Sequence, residues 1–181
     1  MKDARLTAAC ACGNVEIEAV GRPIAATVCY CDDCQAAAQQ IEALPGAPPF
    51  RAGDGGTGVV VFRKDRVRWI RGESLLRKIK LRAGSPTNRQ LATCCNSAMV
   101  LDFDDSKHWV DIYSARVKGT VPRPEFLVCT KFAANSVANS DRVPAYPGYA
   151  PRFLIRLLRA RIAMLFSRFV WPQASTGLRS N

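Results

Sequence analysis

The chain has 181 residues, 48% of them hydrophobic, enough for one domain with a proper core. It carries 26 Lys and Arg against 15 Asp and Glu, a formal charge of +11. No run of eighteen apolar residues is free of charge, and no solenoid repeat or low-complexity block is present. A simple membrane span and a repeat architecture are therefore excluded.

The opening Met1-Lys-Asp-Ala-Arg-Leu is charged and lacks the apolar core of a signal peptide, which predicts a cytoplasmic protein. Residues 15–20 (Val-Glu-Ile-Glu-Ala-Val) alternate apolar with acidic or small, the period of a half-buried strand. Residues 33–44 are rich in Ala and Gln and end at Pro45-Gly46, which predicts a helix. Residues 44–57, dense in Gly and Pro, read as one long loop. Val59-Val-Val-Phe62 and Val67-Arg-Trp-Ile70 flank a charged turn and predict a hairpin. Residues 75–81, 99–103, 109–113 and 125–128 complete eight to ten short strands. The fold class is mainly β, an antiparallel sandwich or partly open barrel.

Residues 135–150, with Ser, Pro and Tyr, read as a linker between a β domain over residues 1–134 and a basic tail over 151–181. The tail holds six arginines and no acidic residue, leaving a net charge of +5 before it. It opens with Pro151 as a helix start and meets Pro172 as a stop. Leu154, Leu158, Ile162, Leu165, Phe166 and Phe169 share one side, with Arg152, Arg156 and Arg159 opposite and Arg161 and Arg168 at the boundary. Such a C-terminal amphipathic helix either packs on the sheet with a solvated basic face or makes peripheral membrane or partner contact.

Seven of the eight cysteines form three clusters: Cys10-Ala-Cys12-Gly13, Cys29-Tyr-Cys31-Asp-Asp-Cys34 and Cys94-Cys95. Short loops let paired thiols converge on one soft divalent ion, so zinc is the expected cofactor, with other soft metals and iron–sulfur as alternatives. A disulfide framework competes, but it belongs to secreted chains and suits C-x-C spacing poorly. Cys129, alone in an apolar run, reads as a buried small hydrophobe. A helix beginning inside the middle cluster directs its N-terminal dipole at Cys31 and Cys34 and favours their thiolates.

The order C-x-C-G, C-x-C-x-x-C and a later R-x-F-C-x-x-C-G-[ST]-P-L resembles the signature of the glutathione-dependent formaldehyde-activating enzyme (GFA) and centromere-protein-V-like family. Cys10 to Gly13 match the first element and Cys29 to Cys34 the second, while Val67 to Leu75 look like the strand, glycine and leucine before the last. In the third, Arg89 and Ser97 align, Ala92 stands at the first thiol, Cys95 at the second and Asn96 at the glycine, with Cys94 an extra thiol. The resemblance covers residues 8–130 and marks a divergent branch.

It implies an Mss4-like zinc-binding antiparallel β fold with one short helix after the central cluster. It implies one structural zinc on Cys10, Cys12 and Cys95, with Cys94, water or a carboxylate as fourth ligand. A second, catalytic zinc would sit on Cys29, Cys31 and Cys34, whose three ligands leave an open position. The implied activity is that of a carbon–sulfur lyase acting on adducts of glutathione-type thiols and small aldehydes.

Asp32 and Asp33 either orient that site or cap the following helix, and the loop at Gly53-Asp-Gly-Gly could approach a substrate carboxylate. His108, Trp69, Trp109 and Trp171 read as packing residues. The competing function is a non-catalytic zinc module binding acidic partners through Arg66, Arg68, Arg71, Arg77, Lys78, Lys80 and Arg82, a positive stripe on one sheet face. The acidic partner would be nucleic acid or, through the Arg-rich tail, anionic membrane; no recognition motif for nucleic acid accompanies the stripe, which weighs against nucleic acid as the partner. Exposed strands and an apolar tail also suit a homodimer.

Overall fold

The computed structural model describes residues 4–133 and 143–166. Among these residues ten strands form two sheets, and two helices cover one of them. The smaller sheet has the order β1 (Arg5–Ala9), β2 (Glu16–Val20), β5 (Val67–Arg71). The larger runs β10 (Phe126–Val128), β3 (Ala25–Cys29), β4 (Thr57–Arg63), β9 (Trp109–Tyr113), β8 (Ser97–Phe103), β7 (Thr87–Ala92), β6 (Leu76–Ile79). All neighbours are antiparallel except β10 and β3. The two helices are α1 (Asp32–Glu42) and α2 (Pro151–Phe166).

The pleat divides the larger sheet into two working faces, because successive side chains point to opposite sides. Val60, Phe62, Val100, Val110 and Ile112 bury against Ala8, Ile17 and Ala19 of the smaller sheet. Their neighbours one residue away, Val59, Val61, Leu101 and Tyr113, face Ala38 and Ile41 of α1 and Phe153, Leu157 and Ala160 of α2. A register shift after Gln90, with Met99 the extra residue on β8, keeps Ala98 on the helix side. On the opposite face of the smaller sheet, Glu18 accepts from Arg5 at 2.7 Å and Arg68 at 3.0 Å, tying β1, β2 and β5 together.

The sandwich expected from the strand pattern is present, but β4 and β5 are not a hairpin. The chain leaves the larger sheet at Arg63 and enters the smaller one at Val67 through a 3₁₀ turn over Lys64–Arg66. The positive stripe is divided between the sheets: Arg66 ends that turn and Arg68 and Arg71 lie on β5 of the smaller sheet, whereas Arg77 and Lys78 lie on β6 of the larger one, with Lys80 and Arg82 after it. Much of it is paired, Arg68 with Glu18, Arg71 with Glu16, Lys78 and Lys80 with Asp104, and Arg82 with Asp33.

The C-terminal helix packs on the sheet by a face other than the one its sequence makes most apolar. Phe153, Leu157 and Ala160 are buried, whereas Leu154, Ile155, Leu158, Ile162, Leu165 and Phe166 are exposed. Before it, Tyr146 N donates to Leu127 O at 2.8 Å and Leu127 N to Pro144 O at 3.0 Å, so residues 144–146 run beside β10. His108 Nε2 lies 2.8 Å from Leu157 O and its ring stacks edge-on to Trp109, a structural role as expected. Arg168, Phe169, Trp171 and Pro172 lie outside the described residues.

Gly72 closes the turn after β5 with φ +70, and a Cβ there would stand 2.2 Å from Asn14 O in the Cys10–Val15 loop. Gly72→Ala combines a left-handed residue with a backbone clash and is expected to cost roughly 2–4 kcal/mol, read as a lower urea midpoint at unchanged m-value.

Candidate functional site

The first and third cysteine clusters form one site. Cys10 and Cys12 lie in the turn between β1 and β2, Cys94 and Cys95 in the turn between β7 and β8. Their sulfurs are 3.5 Å (10–12), 3.9 Å (10–94), 3.3 Å (12–94) and 3.9 Å (94–95) apart, and all four lie within 4.8 Å of one another. A tetrahedral zinc with Zn–S bonds of about 2.3 Å needs sulfurs about 3.8 Å apart, so the donor set fits that ion. The adjacent pair reaches one centre because Asn96 turns the chain with φ 51. Asn96, at the position of the family's glycine, is a residue type that tolerates the left-handed region. Val15 N donates to Cys10 Sγ at 3.2 Å, and Ser97 Oγ lies 3.1 Å from Cys95 Sγ. Burial raises Cys10, whereas Cys95 falls to about 6: its burial opposes the shift, and contacts from Ser97 and Cys12 outweigh it.

The central cluster forms a second, separate site. Cys29 ends β3, Cys31 is the N-cap of α1 and Cys34 sits in its first turn, with Cys34 N donating to Cys31 O at 3.0 Å. The three sulfurs lie within 4.8 Å of one another, and among the described residues no fourth metal-binding side chain joins them within that distance. Three thiols suit a soft divalent ion and leave one coordination position free. Tyr30 holds the loop: it is buried, its hydroxyl donates to Asp54 at 2.7 Å, and its carbonyl accepts from Gln35 at 2.6 Å. The glycine loop is packed onto that ring, since a Cβ on Gly56 would come within 2.8 Å of Tyr30 and 2.5 Å of Val28. It is an anchor for the cluster.

The helix dipole does not favour both thiolates equally. Cys31 drops to about 3 because Cys29 and Cys34 hydrogen-bond to it, helped by the Cys34 amide and by Arg89. Cys29 rises for the reciprocal reason, its contacts with Cys31 and Cys34 together with burial. One thiolate is stabilised at the expense of its neighbours' ionisation. Asp32 and Asp33 occupy the first helical turn without capping it by their side chains. Asp33 instead pairs with Arg82 at 2.8 Å and offers its carbonyl to Arg89 Nη2 at 3.0 Å.

Beside these thiols lies a cavity of about 330 Å³ between the larger sheet and α2. Thr27, Val61, Arg89, Leu101, Trp109 and Asp111 enter it from the sheet, and Phe153, Leu154 and Leu157 roof it from α2. Two buried polar atoms in this lining, Arg89 Nε and Asp111 Oδ1, have no hydrogen-bond partner among the described residues. Burial pushes the Asp111 carboxyl up to about 7. Cys129 is buried as expected, but its thiol adjoins Cys29.

Residues 5–45 match the family model described as glutathione-dependent formaldehyde-activating enzyme. Over that segment the chain is GFA-like. The GFA-like segment contains all three thiols of the open site and two of the four in the closed one; Cys94 and Cys95 fall beyond it. None of the curated proteins compared matches the chain. Among solved structures the chain is similar to a crystal structure of a Rhodobacter sphaeroides protein at 17% identity, covering 77% of this chain and 99% of that one with a TM-score of 0.47.

Asp111 and the cavity lining went unnoticed in the sequence: a carboxylate in the alternating strand Trp-Val-Asp-Ile-Tyr looks solvent-facing. The parity it shares with Trp109 and Tyr113 was the available signal. The native fold retains a proton on Asp111 that the unfolded chain releases near pH 3.9. Its contribution is therefore complete below about pH 4, declines up to about pH 7 and is constant above. Asp111→Asn is expected to be more stable than the parent by roughly 2–4 kcal/mol at pH 8, with the gap closing toward pH 5. Urea unfolding across that range, at fixed zinc, measures it.

Proposed function

We propose that this protein is a zinc-dependent carbon–sulfur lyase acting on thiol adducts of small aldehydes. The observation that carries the reading is the three-thiol site opening onto a cavity, in contrast to the complete four-thiol site elsewhere in the fold. The family description supplies glutathione and formaldehyde as the precedent for the thiol and the aldehyde. Cys29, Cys31 and Cys34 would hold a zinc that supplies Lewis acidity toward sulfur or a carbonyl oxygen, and Cys10, Cys12, Cys94 and Cys95 would hold a second, structural one.

In the adduct R–S–CH(R′)–OH, cleavage takes the hydroxyl proton, forms the C=O bond and sends the C–S pair to sulfur, which ends protonated as R–SH. Asp111 lines the cavity with a carboxyl near 7, suited to accept that proton and return it near neutral pH. Arg89 places a buried cation beside Cys31 and the cavity, where negative charge gathers on sulfur. The apolar side chains that the sheet and α2 contribute to the lining lower the local polarity, which strengthens both effects. All eight cysteines are free thiols, which supports residence in a reducing cytoplasm.

Exchange between free aldehyde and S-hydroxymethyl thiol, followed by NMR on protein of known zinc content, tests the reading. The parent is expected to hold two zinc equivalents. Cys31→Ser is expected to keep one, retain its far-UV circular dichroism and lose at least 100-fold in exchange rate. Undiminished exchange in Cys31→Ser would sink the proposal.

The exposed stripe of α2 favours a peripheral membrane contact as well. Leu158, Ile162 and Leu165 lie exposed between Arg152 and Arg159 on one side and Arg161 on the other, the layout of a helix resting on anionic lipid. A two-fold dimer through the same face would set those arginines near their copies, so lipid suits the stripe better than a homodimer. No helix among the described residues is long and apolar enough to cross a membrane. Sedimentation with phosphatidylglycerol vesicles is expected to weaken at least tenfold for Leu158→Glu/Ile162→Glu and to vanish on neutral phosphatidylcholine.

A further inference from the structure

The cavity beside Cys29, Cys31 and Cys34 is lined mainly by apolar side chains. Its sheet wall is Val59, Val61, Leu101, Phe103 and Trp109, and its roof is Phe153, Leu154 and Leu157. The ionisable groups that reach it besides the thiols and tyrosines are few and largely occupied. Asp33 pairs with Arg82, and Lys107 pairs with Asp105 and lies over the Phe103 ring. Arg89 gives Nη2 to the Asp33 carbonyl, and Asp111 is half neutral near pH 7.

Glutathione would bring two carboxylates and an ammonium into this space. Arg89 Nε is the one buried unpartnered donor in the lining among the described residues, enough for a single polar contact. The remaining charges would be desolvated without partners, which disfavours them strongly. An alkyl or aryl chain meets the opposite situation, since the wall exchanges water for apolar contact.

We infer that the adduct handled at the three-thiol site carries an apolar chain on its thiol or aldehyde carbon, seated between the larger sheet and α2; this rests on the lyase reading. The reacting sulfur and carbon face Cys31, Arg89 and Asp111, and the chain runs toward Trp109 and Leu154. The bond changes are those of the lyase step, so no further reactant enters. Glutathione fits as the family's precedent for the chemistry, while the cavity wall selects a more apolar member of the same class.

The full chain loaded with Co²⁺ reports the site through its thiolate charge-transfer and d–d absorption. Ethanethiol, butanethiol, hexanethiol and glutathione are titrated, with calorimetry as a second readout. Affinity is expected to rise roughly fourfold per methylene until the cavity is full, with hexanethiol binding at least tenfold more tightly than glutathione. Leu154 is 51% exposed at the rim, so Leu154→Glu is expected to fold normally. It should weaken hexanethiol about tenfold and flatten the rise in affinity with chain length, while the cobalt equivalents stay at two. Two cobalt equivalents with no chain-length dependence, or with glutathione as tight as hexanethiol, would overturn the apolar substrate and leave the lyase reading intact. A single cobalt equivalent would remove the open site and both readings with it.

Discussion

Seven sulfurs gathered in two small volumes set the main electrostatic constraint on this fold. Thiolates within 5 Å repel, and the repulsion grows as water is excluded. Each cluster has a buried arginine close by. Arg116 is 8% exposed, donates to Pro49 O at 2.6 Å and feels the charge of Cys95 and Cys10. Arg89 is 2% exposed and feels Cys31. Both keep Nε without a hydrogen-bond partner among the described residues. Such buried cations are costly alone, and beside thiolates they offset the charge that metal binding leaves uncompensated.

The two sites differ because different parts of the fold deliver their sulfurs. The four-thiol site joins the β1–β2 turn of the smaller sheet to the β7–β8 turn of the larger one, so an ion there staples the two layers. All its donors are supplied from tight turns. The three-thiol site sits where β3 passes into α1, at the edge of the face covered by helices. There the layer above the sheet is α2, which leaves space near the thiols instead of filling it.

α2 has more apolar surface than one packing face can use. Its narrow buried edge, Phe153, Leu157 and Ala160, closes the core and roofs the cavity, while the broader stripe through Leu158 and Ile162 stays outside. The polar side of the helix is also engaged: Arg156 pairs with Glu125 at 2.7 Å and stacks over Phe126, and Arg161 donates to Ser106 O at 2.7 Å. Arginine pairing to the body of the domain thus helps choose which apolar face turns inward.

The strand content, both helices and the grouping of thiols were legible in the primary structure, since period-2 alternation, Pro-Gly stops and C-x-C spacing are local properties of the chain. The GFA-like signature likewise resides in contiguous residues. Sheet membership was not local: β4 and β5 read as a hairpin, yet they belong to different layers, because each strand's partner is set by burial across the sandwich. The convergence of Cys94 with Cys95 on one centre depended on the left-handed turn at Asn96. The cavity, Asp111 and the inward face of α2 arose only when distant strands brought side chains of equal parity onto one face, a long-range outcome that no window of sequence contains.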